Sequence, residues 1–562
     1  MIEINDLSFT YPGAKQPTLK NIHLTIEKGD FVAIIGNNGC GKSTLCKTLN
    51  GLIPRFIMGE LQGKLYFDGK DALTLDISEI AKKVGYVYQD FENQIVCPTV
   101  YEDASFACMN YGLENYEDNV MNILKVCDLY SKRNDYIWQL SGGQLHLLAL
   151  AGSTALSPEI LILDEPIAQL DPKHAREIYE ILKELNERYH KTIIVIEHHT
   201  EYIAQYCHHV ILMKDGSIMW QKPVKEALTR VEELESCHIF PPQITRAAKI
   251  MLEKNLLDSN TLLPITIEEG QNIFTKKKHM TDCTHERKIQ EKDERVVEFV
   301  NVGLQFRSVK GEPYQLMKDF YLNIYKGDKI ALIGSNGAGK SSLMKMMIGL
   351  LKPQVGYVNV CGEKTKHYSA EELSKHISLV YQNPEDMFIK DCIRGDIEFA
   401  MKERHIKDYK DRAKKLIELF DLQDIQERDG RLLSGGQMRR ASLAIGVALQ
   451  PSILLLDEPT ANLDIATRKE IMRTLDILKD VVETVVIATH DMQLVCDWAE
   501  RIIVLSSGYI VKDGQRHEVF SDKYVREMVG IEPPEIFKMG EALNIRCYEI
   551  DEFVSAYQQE ES

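Results

Sequence analysis

The chain has no long hydrophobic run. No window nears the roughly 18 uninterrupted apolar residues of a membrane-spanning helix, so no span is expected within it. Its opening, MIEINDLSFTYPG, has neither a basic start nor an apolar stretch, and a secretory signal is not expected there. Basic charge is scarce: 67 Lys and Arg stand against 84 Asp and Glu, and the net charge of −17 argues against a broad nucleic-acid surface. The longest basic block, Lys276 to Lys278, reads as part of a solvated linker. Twelve cysteines form no CxxC pair, which excludes the usual zinc spacings and fits reduced thiols in cytosol. Coiled-coil heptads are missing as well.

What is present is written twice. At 562 residues two or more domains are expected, and an internal repeat shows where they lie. GNNGCGKST recurs as GSNGAGKSS, VYQD as VYQN, LSGGQ unchanged, LILDEP as LLLDEP, and IEHH as ATHD, with corresponding residues 292 to 298 positions apart. The ends of the halves echo each other too, FPPQITRAAKIM from Phe240 against EPPEIFKMGEAL from Glu532. The polar stretch from Thr275 to Glu294 lacks apolar periodicity. The expected organisation is therefore 1–275 and 294–562, each with a C-terminal extension, joined by a linker at 276–293.

Each half alternates short apolar strands with helical stretches, as a parallel sheet flanked by helices requires. FVAII leads into KSTLCKTLNGLI, ILILDEP into a helix near Arg176 to Arg188, and TIIVIEH into TEYIAQYC. Segments such as EDNVMNILKVCDLY, between the glycine loop and LSGGQ, suggest a separate helical lobe.

The glycine loops carry the first chemistry. Gly36, Asn37, Asn38, Gly39, Cys40, Gly41, Lys42, Ser43 and Thr44 follow a strand and open a helix, as do Gly334, Ser335, Asn336, Gly337, Ala338, Gly339, Lys340, Ser341 and Ser342. Glycines let backbone N–H groups wrap a polyphosphate, the helix N-terminus adds positive potential, the lysine neutralises charge and the first serine reaches Mg²⁺. Asp164 and Asp457 each end an apolar run, a position suited to a second Mg²⁺ holder. Glu165 and Glu458 then stand where they can orient water or accept its proton. His198 and His490, after the next strand, are placed to reach a terminal phosphate. Gln89 and Gln382 follow strands and are candidates to contact Mg²⁺ or water. Tyr11 and Phe306 lie upstream, where an aromatic ring could stack on adenine or pack in a core.

Taken together, these elements resemble the ATP-binding cassette (ABC) ATPase family, present twice over nearly the whole chain. The resemblance implies an α/β fold of two tandem P-loop ABC ATPase domains. Each would have a RecA-like parallel-sheet core, an antiparallel β subdomain and a helical signature subdomain. It also implies Mg²⁺-ATP as ligand and a head-to-tail sandwich in which LSGGQ of one half caps the nucleotide of the other. Ser434, Gly435, Gly436 and Gln437 would serve the Lys42 site, and Ser141, Gly142, Gly143 and Gln144 the Lys340 site. Asp171 and Asp464 resemble the aspartates that meet across such a sandwich. Two departures stand out: Ile167 replaces the usual threonine after Glu-Pro, and Leu147 occupies a position that usually holds arginine.

A narrower resemblance concerns Glu197 before His198, the paired stretches YQDFENQIVCPTVYEDASFA and YQNPEDMFIKDCIRGDIEFA, and the PPxI extensions. These are similar to the ATPases of energy-coupling factor transporters, which import vitamins, related micronutrients or metal ions. Implied partners are a membrane coupling protein, received in grooves near Gln89 and Gln382, and a substrate-binding membrane protein. The implied location is the cytoplasmic membrane face, peripherally. Two alternatives stay open here: a fused ATPase of a sugar-type importer, and a soluble ribosome-associated tandem-cassette ATPase.

Overall fold

The structure is a computed structural model, which describes residues 2–167, 170–284, 293–307, 313–460, 465–478 and 481–558. They separate into two compact units. One comprises Met1–Thr284 with Glu535–Ser562, the other His285–Pro534.

In the first unit the central sheet runs Ser217–Pro223, His209–Lys214, Phe31–Ile35, Thr192–Ile196, Ile160–Asp164, Val84–Val87, all parallel except the first. FVAII, ILILD and TIIVI are continuous apolar runs because both faces of a parallel sheet are covered. Phe31, Ala33 and Ile35 face a core built with the surrounding helices. Val32 and Ile34 face a second core shared with the antiparallel sheet of Leu19–Ile26, Ile2–Thr10, Glu60–Phe67 and Lys70–Asp71. Each such fully buried aliphatic side chain contributes about 1.5–3 kcal/mol.

The second unit repeats the plan. Its six-stranded sheet runs Ile377–Val380, Ile453–Asp457, Thr484–Ala488, Lys329–Gly334, Arg501–Ser506, Tyr509–Gly514. Beside it lies a four-stranded antiparallel sheet of Pro313–Tyr325, Arg295–Arg307, Val355–Val360 and Glu363–Lys364.

The helix Pro172–Glu187 shows how local chemistry sets an element. Asp171 caps it by accepting from the His174 N–H, and proline occupies its first turn, where no N–H is needed. Its inward stripe includes Ala175, Ile178, Tyr179, Leu182 and Leu185. Asp464, the corresponding aspartate of the second half, lies outside the described residues.

The C-terminal extensions form one small module within the first unit. Helices Gln243–Glu253, Ile267–Ile273, Glu535–Leu543 and Ile550–Gln558 surround a core containing Ile244, Met251, Phe274, Met539 and Phe553. The stretch expected as a solvated linker contributes to it. Thr281–Asp282 pairs in parallel with Ile545–Arg546, Cys283 is buried, and Lys277 is buried with its Nζ 4.2 Å from the Tyr557 ring centroid. The solvated reading of that lysine run is therefore corrected at Lys277: the aromatic face and the aliphatic stem give the side chain a place inside.

Candidate functional site

Three neighbouring parallel strands deliver the site of the first unit at their C-terminal ends. Gly36 leaves the strand Phe31–Ile35, Asp164 ends Ile160–Asp164, and His198 follows Thr192–Ile196, with Asp164 in register with Ile196. The Glu165 N–H continues the ladder to the Ile196 carbonyl at 3.1 Å. Glu165 and Glu458 both hold positive φ, 52° and 45°, a left-handed conformation that is costly for a residue with a side chain and collects at working sites.

The two loops share one geometry. Gly41 and Gly339 cap the following helices at φ 104° and 106°. A Cβ on Gly36 would lie 2.4 Å from the Met213 carbonyl oxygen, and one on Gly334 would lie 2.3 Å from that of Leu505. Lys42 Nζ donates to the carbonyls of Gly36 (2.7 Å) and Asn37 (3.1 Å). Lys340 Nζ does the same to Gly334 (2.6 Å) and Ser335 (3.3 Å). Each loop thus bends around its own ammonium group, leaving a glycine-lined concavity suited to an anion. The Tyr11 hydroxyl lies 3.2 Å from Thr44 Oγ1 and its ring packs edge-on to Phe9, so Tyr11 borders this loop; Phe306 is partly exposed.

Three predicted residues of the first unit come together directly. Gln89 Nε2 donates to Glu165 Oε2 at 2.8 Å, and His198 Nε2 lies 3.2 Å from Glu165 Oε1. Burial opposes a charge on Glu165, but the His198 hydrogen bond, together with nearby positive charge, outweighs it and holds the carboxyl below its usual range. In the second unit His490 Nε2 lies 3.2 Å from Lys340 Nζ, 3.0 Å from Asn336 Oδ1 and 3.4 Å from Glu458 Oε1. There burial pushes the Glu458 carboxyl up to about 7, against the pull of Lys340. Gln382 is exposed, and its backbone carbonyl accepts from Arg439 at 2.6 Å.

Ser43 hydrogen-bonds Asp164, and Ser341 Oγ donates to Asp457 Oδ2 at 3.1 Å. A hydroxyl beside a strand-end carboxyl offers hard oxygen donors of the kind a small divalent cation takes alongside phosphate oxygens. No group of three or more His, Cys, Asp or Glu able to hold a metal gathers among the described residues. The donors fit Mg²⁺ in this partial manner.

The signature segments perform a local task that their composition conceals. Ser141 Oγ accepts from Gln144 N–H while Gln144 Oε1 accepts from Ser141 N–H, a capping box on the helix Gly142–Thr154. Ser434 and Gln437 repeat it on Gly435–Val447. The spacing Ser-x-x-Gln before an apolar helix was the available signal. Gly143 packs against His174, whereas a Cβ on Gly142 would meet nothing within 4 Å.

Several residues were missed or underweighted. Tyr86 donates to Asp164 Oδ2 at 3.1 Å. Arg439 is buried and donates to the Tyr381 and Gln382 carbonyls, tying the signature helix to the glutamine loop. Its counterpart is His146, buried and stacked on Phe91 with centroids 4.4 Å apart, its ring held neutral as burial lowers its pKa to about 4. The difference between the signature helices therefore centres on His146 and Arg439 as well as on the noted Leu147.

Comparison with known proteins agrees with this architecture. The family model described as "ABC transporter" matches residues 19–168 and 317–461. A provisionally named ABC transporter ATP-binding protein of Caldanaerobacter subterraneus subsp. tengcongensis is 32% identical over 99% of this chain and 98% of its own. A similarly named protein of Vibrio vulnificus is 32% identical over 97% and 95%. Among solved structures, CbiO1 from Clostridium perfringens, described as part of the ABC transporter complex CbiONQ, is 31% identical. It covers 44% of this chain and 98% of its own, with a TM-score of 0.39.

Proposed function

The chain belongs to the ATP-binding proteins of ABC transporters, and from that premise we propose that it is the energy-coupling ATPase of a membrane importer of the energy-coupling factor type. Membership makes each half an ATP-binding, ATP-hydrolysing cassette. The cargo class proposed is a vitamin, related micronutrient or metal ion. The observation that carries the catalytic reading is Glu165, gripped by Gln89 and His198 beside the Lys42 loop.

In this reading, the loop N–H groups and Lys42 or Lys340 hold the phosphates of ATP. Glu165 and Glu458 orient the attacking water and accept its proton, and His198 and His490 steady the terminal phosphate. Ser43 and Asp164, or Ser341 and Asp457, with Gln89 and Gln382 nearby, would hold Mg²⁺. When bound, that ion would supply charge neutralisation to the phosphates. The signature serines and glycines of each half serve the nucleotide of the other, so ATP favours pairing of the halves and hydrolysis releases it.

Among the described residues no helix is long and apolar enough to cross a membrane. The glutamine loops are proposed to receive a coupling protein, which works with a separate substrate-binding membrane protein. The PPxI extensions and the Glu197–His198 pair support this over the sugar-type and ribosome-associated readings. Affinity purification from detergent-solubilised membranes tests it. Two classes of integral membrane protein that stimulate ATP hydrolysis are expected; recovery of ribosomal subunits instead would reject it.

A further inference from the structure

The loop carrying each histidine is anchored differently in the two halves. In the second, Thr460 Oγ1 donates to Asp491 Oδ2 at 3.0 Å, tying the histidine loop to the turn after Glu458, and Thr489 Oγ1 accepts from Asp491 N–H at 3.0 Å. The first half has none of those three side chains, and keeps only the bond in which the residue before the histidine accepts from the N–H of the residue after it. Ile167 stands at the position of Thr460, His199 at that of Asp491 and Glu197 at that of Thr489.

The other bonds differ. Glu197 is 2% exposed; its Oε1 accepts from the N–H groups of His198 (2.7 Å) and His199 (2.9 Å), and its Oε2 accepts from the Tyr179 hydroxyl at 2.8 Å. Tyr179 is fully buried on the helix Pro172–Glu187, stacked on Tyr202 and Tyr206 at 4.9 and 5.1 Å. Met472 stands at its position in the second half. A buried carboxyl is costly unless its oxygens are satisfied, and here three donors satisfy it. Those donors include the backbone of the residue whose ring touches Glu165.

We propose that Glu197, held by Tyr179, is a positioning residue that fixes His198 against Glu165, taking the place of the Thr460–Asp491 tie of the second half. This rests on the catalytic reading of Glu165 and His198.

The test uses the full chain and steady-state ATP hydrolysis. Glu197→Thr is expected to lower kcat measurably, toward half of the parental value where the two sites turn over independently and equally, and below half where turnover at one depends on the other. The KM for ATP should change less than about twofold. Adding Ile167→Thr and His199→Asp, which transplants the second-half anchor, should restore most of the rate. In a His198→Ala background Glu197→Thr should change nothing further, because the effect runs through that ring. An unchanged kcat, or a further loss on top of His198→Ala, overturns the proposal. Should Glu197→Thr fold poorly, Tyr179→Phe keeps the buried ring and removes only the hydroxyl; it must lower kcat in the same direction, and parental kcat overturns the relay. Glu165→Gln separates the two levels: parental hydrolysis by that variant defeats the catalytic reading, whereas a slow Glu165→Gln with a fast Glu197→Thr defeats the relay alone.

Discussion

Gln243 and Glu535 cap each other's helices. Gln243 Oε1 accepts from Ile536 N–H at 2.9 Å, and Glu535 Oε2 accepts from Ile244 N–H at 3.3 Å. These are matching positions of the two PPxI extensions, so the repeat seen in the sequence becomes a reciprocal contact within one module.

The exchange has a pH signature. Burial, reinforced by Glu201, raises the Glu535 pKa from an ordinary 4.5 to about 8. Between those values the folded module keeps a proton that the unfolded chain has lost, so Glu535 subtracts stability as pH rises through that window and nothing further above it. Glu535→Gln keeps an acceptor for Ile244 without the charge. Its melting temperature should match the parent near pH 4.5 and exceed it at pH 8; a parent-like melting curve at both would refute the assignment.

Replacing Glu165 and Glu458 together by Gln should leave nucleotide binding intact and reduce hydrolysis by roughly 10²–10⁴-fold, the usual contribution of a positioned base. The neutral amide remains near His198 and His490 in size and shape. Equilibrium binding of a fluorescent ATP analogue alongside phosphate release checks both halves of the statement.

If the halves pair as proposed, Ser141→Arg should damage chiefly the Lys340 site, and Ser434→Arg the Lys42 site, because a large cation would then fill the space meant for the other half's phosphates. Each substitution also removes a helix cap, worth about 1 kcal/mol. Ser→Ala at the same positions removes the cap and the serine hydroxyl without adding a cation, and supplies the control for the bulk and charge of arginine. Nucleotide photolabelling followed by cleavage between the halves reads the outcome; loss in the mutated half would refute cross-half pairing.

Cys40 sits under Gly36, where a Cβ would come within 2.7 Å of its Sγ, and burial pushes its thiol above the ordinary range. Alkylation should therefore be slow at neutral pH and accelerate as pH rises toward the thiol's raised pKa. Once formed, the adduct should block nucleotide, and bound ATP should protect. Cys40→Ala, which places alanine where the second loop has Ala338, should hydrolyse ATP normally and resist inhibition; equal inhibition would implicate another cysteine.

The cassettes were legible because their motifs are dictated by local backbone demands. A glycine is needed where Gly36 approaches the Met213 carbonyl, and a carboxyl is needed where the strand Ile160–Asp164 ends. Thr281–Asp282 was illegible as a strand because its partner, Ile545–Arg546, lies at the far end of the sequence. Lys277 misled for the same reason, since the Tyr557 ring that receives it is equally remote. Arg439 and His146 occupy matched positions of two signature helices yet bind by different chemistry, carbonyl hydrogen bonds in one and ring stacking in the other. Pattern alone does not distinguish a buried arginine from a solvated one.

The return of the chain at Glu535 to complete the first unit sets an order of events during synthesis. The helix Gln243–Glu253 leaves the ribosome with Ile244, Ala247, Ala248 and Met251 facing partners that do not yet exist. Those partners follow roughly 280 residues later, about 15–60 s at ordinary elongation rates of about 5–20 residues per second. For that interval the newborn protein carries an uncovered apolar stripe while the second cassette is still being made. Closure of the module has to wait for Glu535, and a nascent chain truncated before it leaves that stripe without the partners that bury it in the folded unit.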